Sequence, residues 1–473
     1  MAPRIAVHGH FYQPPRENPW TGVIDPQPSA RPFRDWNERI HAESYKPNAY
    51  VTIPTETGER TVNNFERLSF NVGPTLMAWL ETAHPETYHR ILEADRVSVE
   101  RLGHGNALAQ AFHHTILPLS VARDVRTQVR WGLADFRHRF GRDAAGMWLP
   151  ETAVNEDVLD ILIEEGVRFT VLAAQQAKDA IDTRRPYRYL HRDGSARSIA
   201  LFFFDGDLSH AIGFNNAAAS AESLIDAFEK SGGDGLLVNV ATDGETYGHH
   251  FRFADLGLAY ALFIEAENRG IEVVNYARHL EDFPPTEDVR LAPGEGTSWS
   301  CPHGVARWKL DCGCSTGGEP EWNQAWRTPL RDALDLIRVA ADEIFERLGG
   351  EILDDPWRVR DLYVNVVLGD QTLDELVAAE ASGPLSPTKL EQAGTLLDMQ
   401  GSAMSMFTSC GWFFNDIAGI ETVQILRYAA RTLELFETLR QPSPRNAFLA
   451  QMKKAVSNDP AHGTGADIFA SLS

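Results

Sequence analysis

Over its first 290 residues the chain alternates short apolar runs with amphipathic stretches, and that alternation restricts the fold more than any other feature of the sequence. Strands are expected at 4–10, 67–72, 97–102, 145–150, 168–173, 198–204, 236–242 and 271–277. Several are almost unbroken apolar runs, such as Leu201-Phe-Phe-Phe204 and Leu236-Leu-Val-Asn-Val240. Strands covered on both faces read this way. Between them the period changes. Within 124–140, Val125, Val129, Gly132, Phe136 and Phe140 fall on one helical face; within 155–166, Asn155 can cap while Val158, Leu159, Leu162 and Ile163 face inward. Strand–helix alternation calls for a parallel sheet, either open or closed into a (β/α)7 or (β/α)8 barrel.

The texture changes near residue 290. Residues 291–328 are rich in Cys, Trp, Gly and Pro and read as a structured loop region. From 329 to 473 helical periodicity dominates, at 329–348, 387–409 and 416–438, so an α-helical domain is expected to complete a cleft with the barrel of 1–290. The tail after 458 is expected to be loose.

Composition narrows the function. With 44 basic against 66 acidic residues the net charge is −22. That field repels phosphate backbones and anionic membranes, which argues against nucleic acid and membrane surfaces as partners. No apolar run approaches the roughly 18 residues a membrane helix needs. The first residues turn polar too early for a secretory signal, so the expected compartment is the cytoplasm. Nothing in the sequence sets an oligomeric state.

In parallel α/β folds the chemistry gathers at the carboxyl ends of the strands. Five expected strand ends carry histidine or carboxylate: His8-Gly-His10-Phe-Tyr-Gln13, Gly103-His104, Trp148-Leu-Pro-Glu151, Asp205-Gly-Asp207, and Asp243-Gly-Glu245-Thr-Tyr247-Gly-His249-His250. One such carboxylate is often only a helix cap; five together are not all explained that way. Two carboxyl groups facing one another can cleave a glycosidic bond, one as nucleophile or base and one as a proton donor of raised pKa. Trp148, Tyr247, Trp299, Trp308, Trp322, Trp326 and Trp412 are candidate sugar platforms, although some must be core.

These stretches resemble motifs of glycoside hydrolase family 57: His8-Gly-His10-Phe-Tyr-Gln13-Pro14, Trp148-Leu-Pro-Glu151, Thr242-Asp243-Gly-Glu245-Thr-Tyr-Gly248-His249, and Cys410-Gly-Trp412-Phe-Phe-Asn415. The chain is most similar to the subgroup with a C-terminal helical domain of unknown function, whose members are often longer. The resemblance implies a distorted (β/α)7 barrel followed by an α-helical domain, and action on α-glucans with retention of configuration. It makes Glu151 the nucleophile and Asp243 the general acid/base, with His10, His104 and Trp148 lining the reacting subsite. Two departures bear on roles. The usual His-Gln-Pro is interrupted here, which leaves the sugar-gripping residue open between His10 and Gln13, and Glu245 rivals Asp243 two positions on. No cofactor is expected; the expected partner is an oligo- or polysaccharide. The competing readings are a catalytically silent carbohydrate-binding protein on the same fold and a metal-dependent hydrolase. Against the latter, none of the 16 histidines has another at +4, as the metal site of polysaccharide deacetylases needs, and the first strand lacks the His-x-Asp of family 38 mannosidases.

Cys301, His303, Cys312 and Cys314 crowd into one segment with a C-x-H-x8-C-x-C spacing. A structural metal, a redox-labile disulfide and free thiols are all open to it; no catalytic metal is expected there. His113-His114 and His249-His250 read as hydrogen-bonding histidines, since neighbours on a strand point to opposite faces.

Overall fold

The computed structural model describes residues 3–55, 58–233 and 236–472. The chain divides into two compact units. The first comprises the residues up to Gln13, Pro26–Ala111 and Phe136–Gly294; the second comprises Pro14–Asp25, Phe112–Asp135 and everything from Glu295 on. The helical unit therefore takes in two segments that lie, in sequence, among the strands.

Seven parallel strands organise the first unit: β1 (Arg4–Phe11), β2 (Ser69–Val72), β3 (Ala109–Gln110), β4 (Met147–Trp148), β5 (Phe169–Ala173), β6 (Ser198–Phe204) and β7 (Leu237–Asp243). β1 pairs with the whole of β7, from Arg4↔Leu237 to His10↔Asp243, and with β2 from His8↔Ser69 to Phe11↔Val72. β3 pairs with β4 and β5 with β6. The remaining junctions are thin. β2 meets β3 through a bridge between Phe70 and Ala107, and β4 meets β5 through one between Gly146 and Phe169. β6 meets β7 through the Asp205 amide donating to the Asn239 carbonyl at 2.8 Å, reinforced by the Asn239 side-chain amide donating to the Phe203 carbonyl at 3.1 Å. The circuit closes as a distorted (β/α)7 barrel. A two-residue strand, Glu272–Val273, lies beside the start of β1.

Burial follows the sequence pattern. Ile5–Phe11 of β1, Ile199–Phe204 of β6 and Leu237–Thr242 of β7 are buried throughout. Asp243, which ends β7, is exposed. Asn155 caps the helix Glu156–Glu164 by accepting from the Val158 amide.

Two expected strands are corrected. Residues 97–102 form the last turns of the helix Pro85–Leu102, which ends on Gly103 in the left-handed conformation (φ 76°). The alternation Val97-Ser-Val99 imitates a strand, but the helix runs from a proline in its first turn to a glycine cap, and those terminal signals prevail. The third strand is Ala109–Gln110 instead. In 271–277 only Glu272–Val273 pairs as a strand; Asn275 caps the helix Tyr276–Asp282.

In the second unit the helices Arg327–Gly349, Pro387–Ser405 and Ile420–Thr438 match the expected periodic stretches. Phe112, Trp131, Val364 and Met404 form one of its apolar clusters. Arg360, buried, donates to Asp124 at 2.8 Å and to the Gln400 side-chain oxygen at 2.9 Å. The tail after 458 is ordered rather than loose: Thr464 and Asp467 cap the helix Gly465–Ala470 reciprocally, and Ile468 and Phe469 are buried.

Candidate active site

The site begins inside the barrel. His8 and His10 point the same way from β1, as alternate strand residues must. Both are buried, and both rings stack on the indole of Trp148 at the end of β4, with centroids 4.5 and 5.3 Å away. Asn71 on β2 joins them. Its carboxamide lies 3.0 Å from His8 Nε2 and within 3.2 Å of His10 Nδ1, and its Nδ2 donates to Gln110 Oε1 at 2.6 Å. Burial lowers the pKa of His8 to about 3 and of His10 to about 4, so both imidazoles are neutral near pH 7. Trp148 is fully buried and supports the histidines rather than offering an open platform.

Above this layer stand three carboxyl groups. Glu151 follows β4 in a tight turn, half-buried, with φ 57° and ψ 21°. Thr152 is also left-handed, at φ 50°. Two consecutive non-glycine residues in this region are costly, and such strain collects at functional sites. Gln176, fully buried beyond β5, holds the turn: its Oε1 accepts from the Thr152 hydroxyl and the Ala173 amide, and its Nε2 donates to the Thr152 carbonyl, each at 2.8 Å.

Asp243 and Glu245 diverge although only one residue separates them. Glu245 is buried, and its Oε1 accepts from the Tyr45 hydroxyl at 2.6 Å and the Tyr12 amide at 3.1 Å. Gln13 also hydrogen-bonds to it. Burial raises its pKa to about 7 while these donors oppose the rise. Asp243 keeps its side chain open to solvent. Its pKa is raised to about 8, first by the desolvating mass of protein around the strand end, then by the negative charges of Glu245 and Glu151. Water reaching the exposed carboxyl works against the first of these causes, and the two charges secure the direction.

Other expected residues lie elsewhere. His104 follows a helix, not a strand, and its Nε2 meets Glu281 at 3.0 Å; its carbonyl accepts from Asn275. Tyr247 is fully buried, its hydroxyl accepting from Thr242 at 3.2 Å. His249 pairs with Glu43 and meets the edge of Trp36. In the helical unit Trp412 is fully buried, donating to the Arg327 carbonyl and lying parallel to Phe407, so it is core there; Trp299 is half-buried. His113 and His114 bond to Gln128 and Ser409.

Asn71, Gln110, Tyr45 and Gln176 were not anticipated. Asn71 carried a usable signal, since an amide in the middle of a buried strand needs partners. The others sit on short or irregular segments with no periodicity to betray them.

Residues 17–292, more than half of the chain, match the model of glycosyl hydrolase family 57. The chain belongs to that family. Residues 322–472 match a domain of unknown function (DUF3536). Among curated relatives, the 4-alpha-glucanotransferase of Thermococcus litoralis is 24% identical over 275 residues, 56% of this chain and 39% of the relative. An alpha-amylase of Pyrococcus horikoshii is 23% identical over 298 residues, 61% of this chain and 44% of the relative. The chain thus spans less than half the length of either. In structure it is similar to an exo-type maltose-forming amylase from Pyrococcus sp. ST04, with a TM-score of 0.70 at 17% identity over 95% of this chain and 83% of that one. A family 57 branching enzyme from Pyrococcus horikoshii gives 0.58 at 15% identity, covering 96% and 95%. The family 57 fold is therefore shared, and among the described residues no helix is long and apolar enough to cross a membrane.

Proposed function

We propose that this chain is a retaining glycosidase or transglycosidase of α-linked glucans, with Glu151 as nucleophile and Asp243 as general acid/base. The observation that carries the reading is the placement of the two carboxyl groups: Glu151 stands in a left-handed turn just after β4, and Asp243 ends β7 open to solvent, where the charges of Glu245 and then Glu151 favour its protonated form. The rival Glu245 is buried and occupied by Tyr45 and Tyr12. A retaining enzyme needs one carboxylate ionised and one protonated before the first bond is broken.

In the first step the Glu151 carboxylate attacks the anomeric carbon and forms a glycosyl ester. Asp243 gives its proton to the departing glycosidic oxygen. In the second step Asp243, now ionised, takes a proton from the incoming hydroxyl as that oxygen attacks the anomeric carbon and Glu151 leaves. Water as acceptor gives hydrolysis; a sugar hydroxyl gives transfer. The α-glucan is suggested by the relatives, named as alpha-amylase, 4-alpha-glucanotransferase and branching enzyme. Incubation with a panel of α-glucans, with analysis of released sugar, chain length and new branches, tests the reading. Activity on at least one with retained configuration is expected, and it should vanish in Glu151→Gln. Substantial turnover by that variant removes Glu151 as nucleophile, and a chain inert toward the whole panel favours a sugar-binding role.

A further inference from the structure

Cys301, His303, Cys312 and Cys314 converge on one point within the helical unit. The Sγ atoms of Cys301 and Cys312 lie 3.9 Å apart, those of Cys301 and Cys314 3.7 Å, and Cys314 Sγ lies 3.6 Å from His303 Nδ1. One ligand atom from each of the four falls within 4.8 Å of all the others. A zinc ion binds sulfur at about 2.3 Å and imidazole nitrogen at about 2.0–2.1 Å, so tetrahedral ligands stand about 3.5–3.8 Å from each other. Two of the three close separations, 3.7 and 3.6 Å, fall in that range, and the third, 3.9 Å, lies just beyond it. A disulfide would need two sulfurs at about 2.0 Å and would leave a thiol and an imidazole stranded beside it.

The backbone is shaped for the same purpose. Gly304 adopts φ 77°, its amide donates to the Cys301 carbonyl, and an added Cβ would sit 2.4 Å from the Gly296 carbonyl oxygen. That turn brings His303 back over Cys301. Gly313, at φ 79°, lets the chain reverse between Cys312 and Cys314, and its amide is held by Asp311. A charge partner is also present. Arg327 is completely buried, donates to the carbonyls of Cys314, Phe413 and Phe414, and interacts electrostatically with Cys312 and Cys314. Three thiolates and a neutral imidazole around a dication carry one net negative charge, which would offset that guanidinium.

We infer that these four side chains bind one structural zinc-class ion that fixes the segment Glu295–Trp326. This segment holds no regular element beyond the short turn Ala306–Trp308, and irregular stretches of such length rarely stay ordered without an anchor. With three thiolates and an imidazole the coordination shell is filled by protein, which makes the ion structural rather than catalytic.

The test uses the full chain purified without chelator. Elemental analysis should find about one zinc per chain. Exchange for Co2+ should produce thiolate-to-cobalt charge-transfer absorption and the intense visible bands of a tetrahedral site. Cys301→Ser, Cys312→Ser and His303→Ala should each lower metal affinity at least about tenfold, whereas Cys410→Ser should leave it unchanged. His303 is exposed, so its variant tests the site even if a cysteine variant fails to fold. Full-length protein without bound metal and without a cobalt–thiolate spectrum overturns the proposal. So does undiminished binding in the Cys301, Cys312 and His303 variants.

Discussion

Gln176 grips Thr152 from both sides, accepting from its hydroxyl and donating to its carbonyl, each at 2.8 Å. Thr152 is the second residue of the left-handed turn that presents Glu151. The side chain that sets the candidate nucleophile is therefore itself set from beyond β5.

Gln176→Ala leaves the Thr152 hydroxyl and carbonyl and the Ala173 amide without their buried partner. The expected cost is about 1–3 kcal/mol of stability, read by denaturant unfolding. Turnover on an α-glucan should fall about 10–100-fold with KM little changed, because a displaced nucleophile loses its attack geometry before it loses substrate. An unaltered kcat would separate Gln176 from the placement of Glu151.

The alkaline limb of the pH–rate profile should follow Asp243, whose carboxyl is raised to about 8. Activity falls as pH rises through that value and the proton is lost. Glu245→Gln removes a neighbouring negative charge, which makes ionisation of Asp243 easier. The limb should then move to lower pH; a stationary or upward-moving limb contradicts the assignment.

The same shift has a consequence for stability. A carboxyl whose folded pKa lies above its unfolded value of about 3.9 contributes stability that is complete below that value and is lost as pH rises through the folded pKa. Asp243→Asn avoids the loss. The melting temperature of the variant relative to the parent should therefore be near zero difference at pH 4 and increasingly positive toward pH 8. Solvent access to Asp243 moderates the size of the effect, not its sign. Equal melting temperatures across the range would mean that Asp243 titrates normally.

Tyr45→Phe withdraws the 2.6 Å donor from buried Glu245. The carboxyl should become harder to ionise, and the protein should lose about 1–3 kcal/mol near neutral pH, with less loss at acidic pH where Glu245 is protonated. Thermal unfolding at two pH values checks both statements.

Much of this architecture could be read in advance because long buried strands and amphipathic helices carry strong periodic signals. β1, β6 and β7, the helix Glu156–Glu164 with its Asn155 cap, and the three long C-terminal helices are of that kind. β3 was invisible for the opposite reason. Two residues cannot display a period, and the alternating Val97-Ser-Val99 nearby imitated what was missing. That misplacement carried His104 with it, to a helix end beside Glu281. At the site, Glu151 and Asp243 stood out as carboxylates after strands. The difference between Asp243 and Glu245 did not, since it arises from Tyr45 and Gln13, which come from distant parts of the chain.

The left-handed backbone at Glu151 would be comfortable as glycine, whereas Thr152 is also held by the hydroxyl it donates to buried Gln176. A glycine at 151 would relax the turn and, by this reasoning, leave a sturdier but idle protein. Related sequences released from the demand for turnover should drift toward glycine or asparagine at position 151, so the identity of one residue becomes a simple marker for telling working members of such a lineage from retired ones.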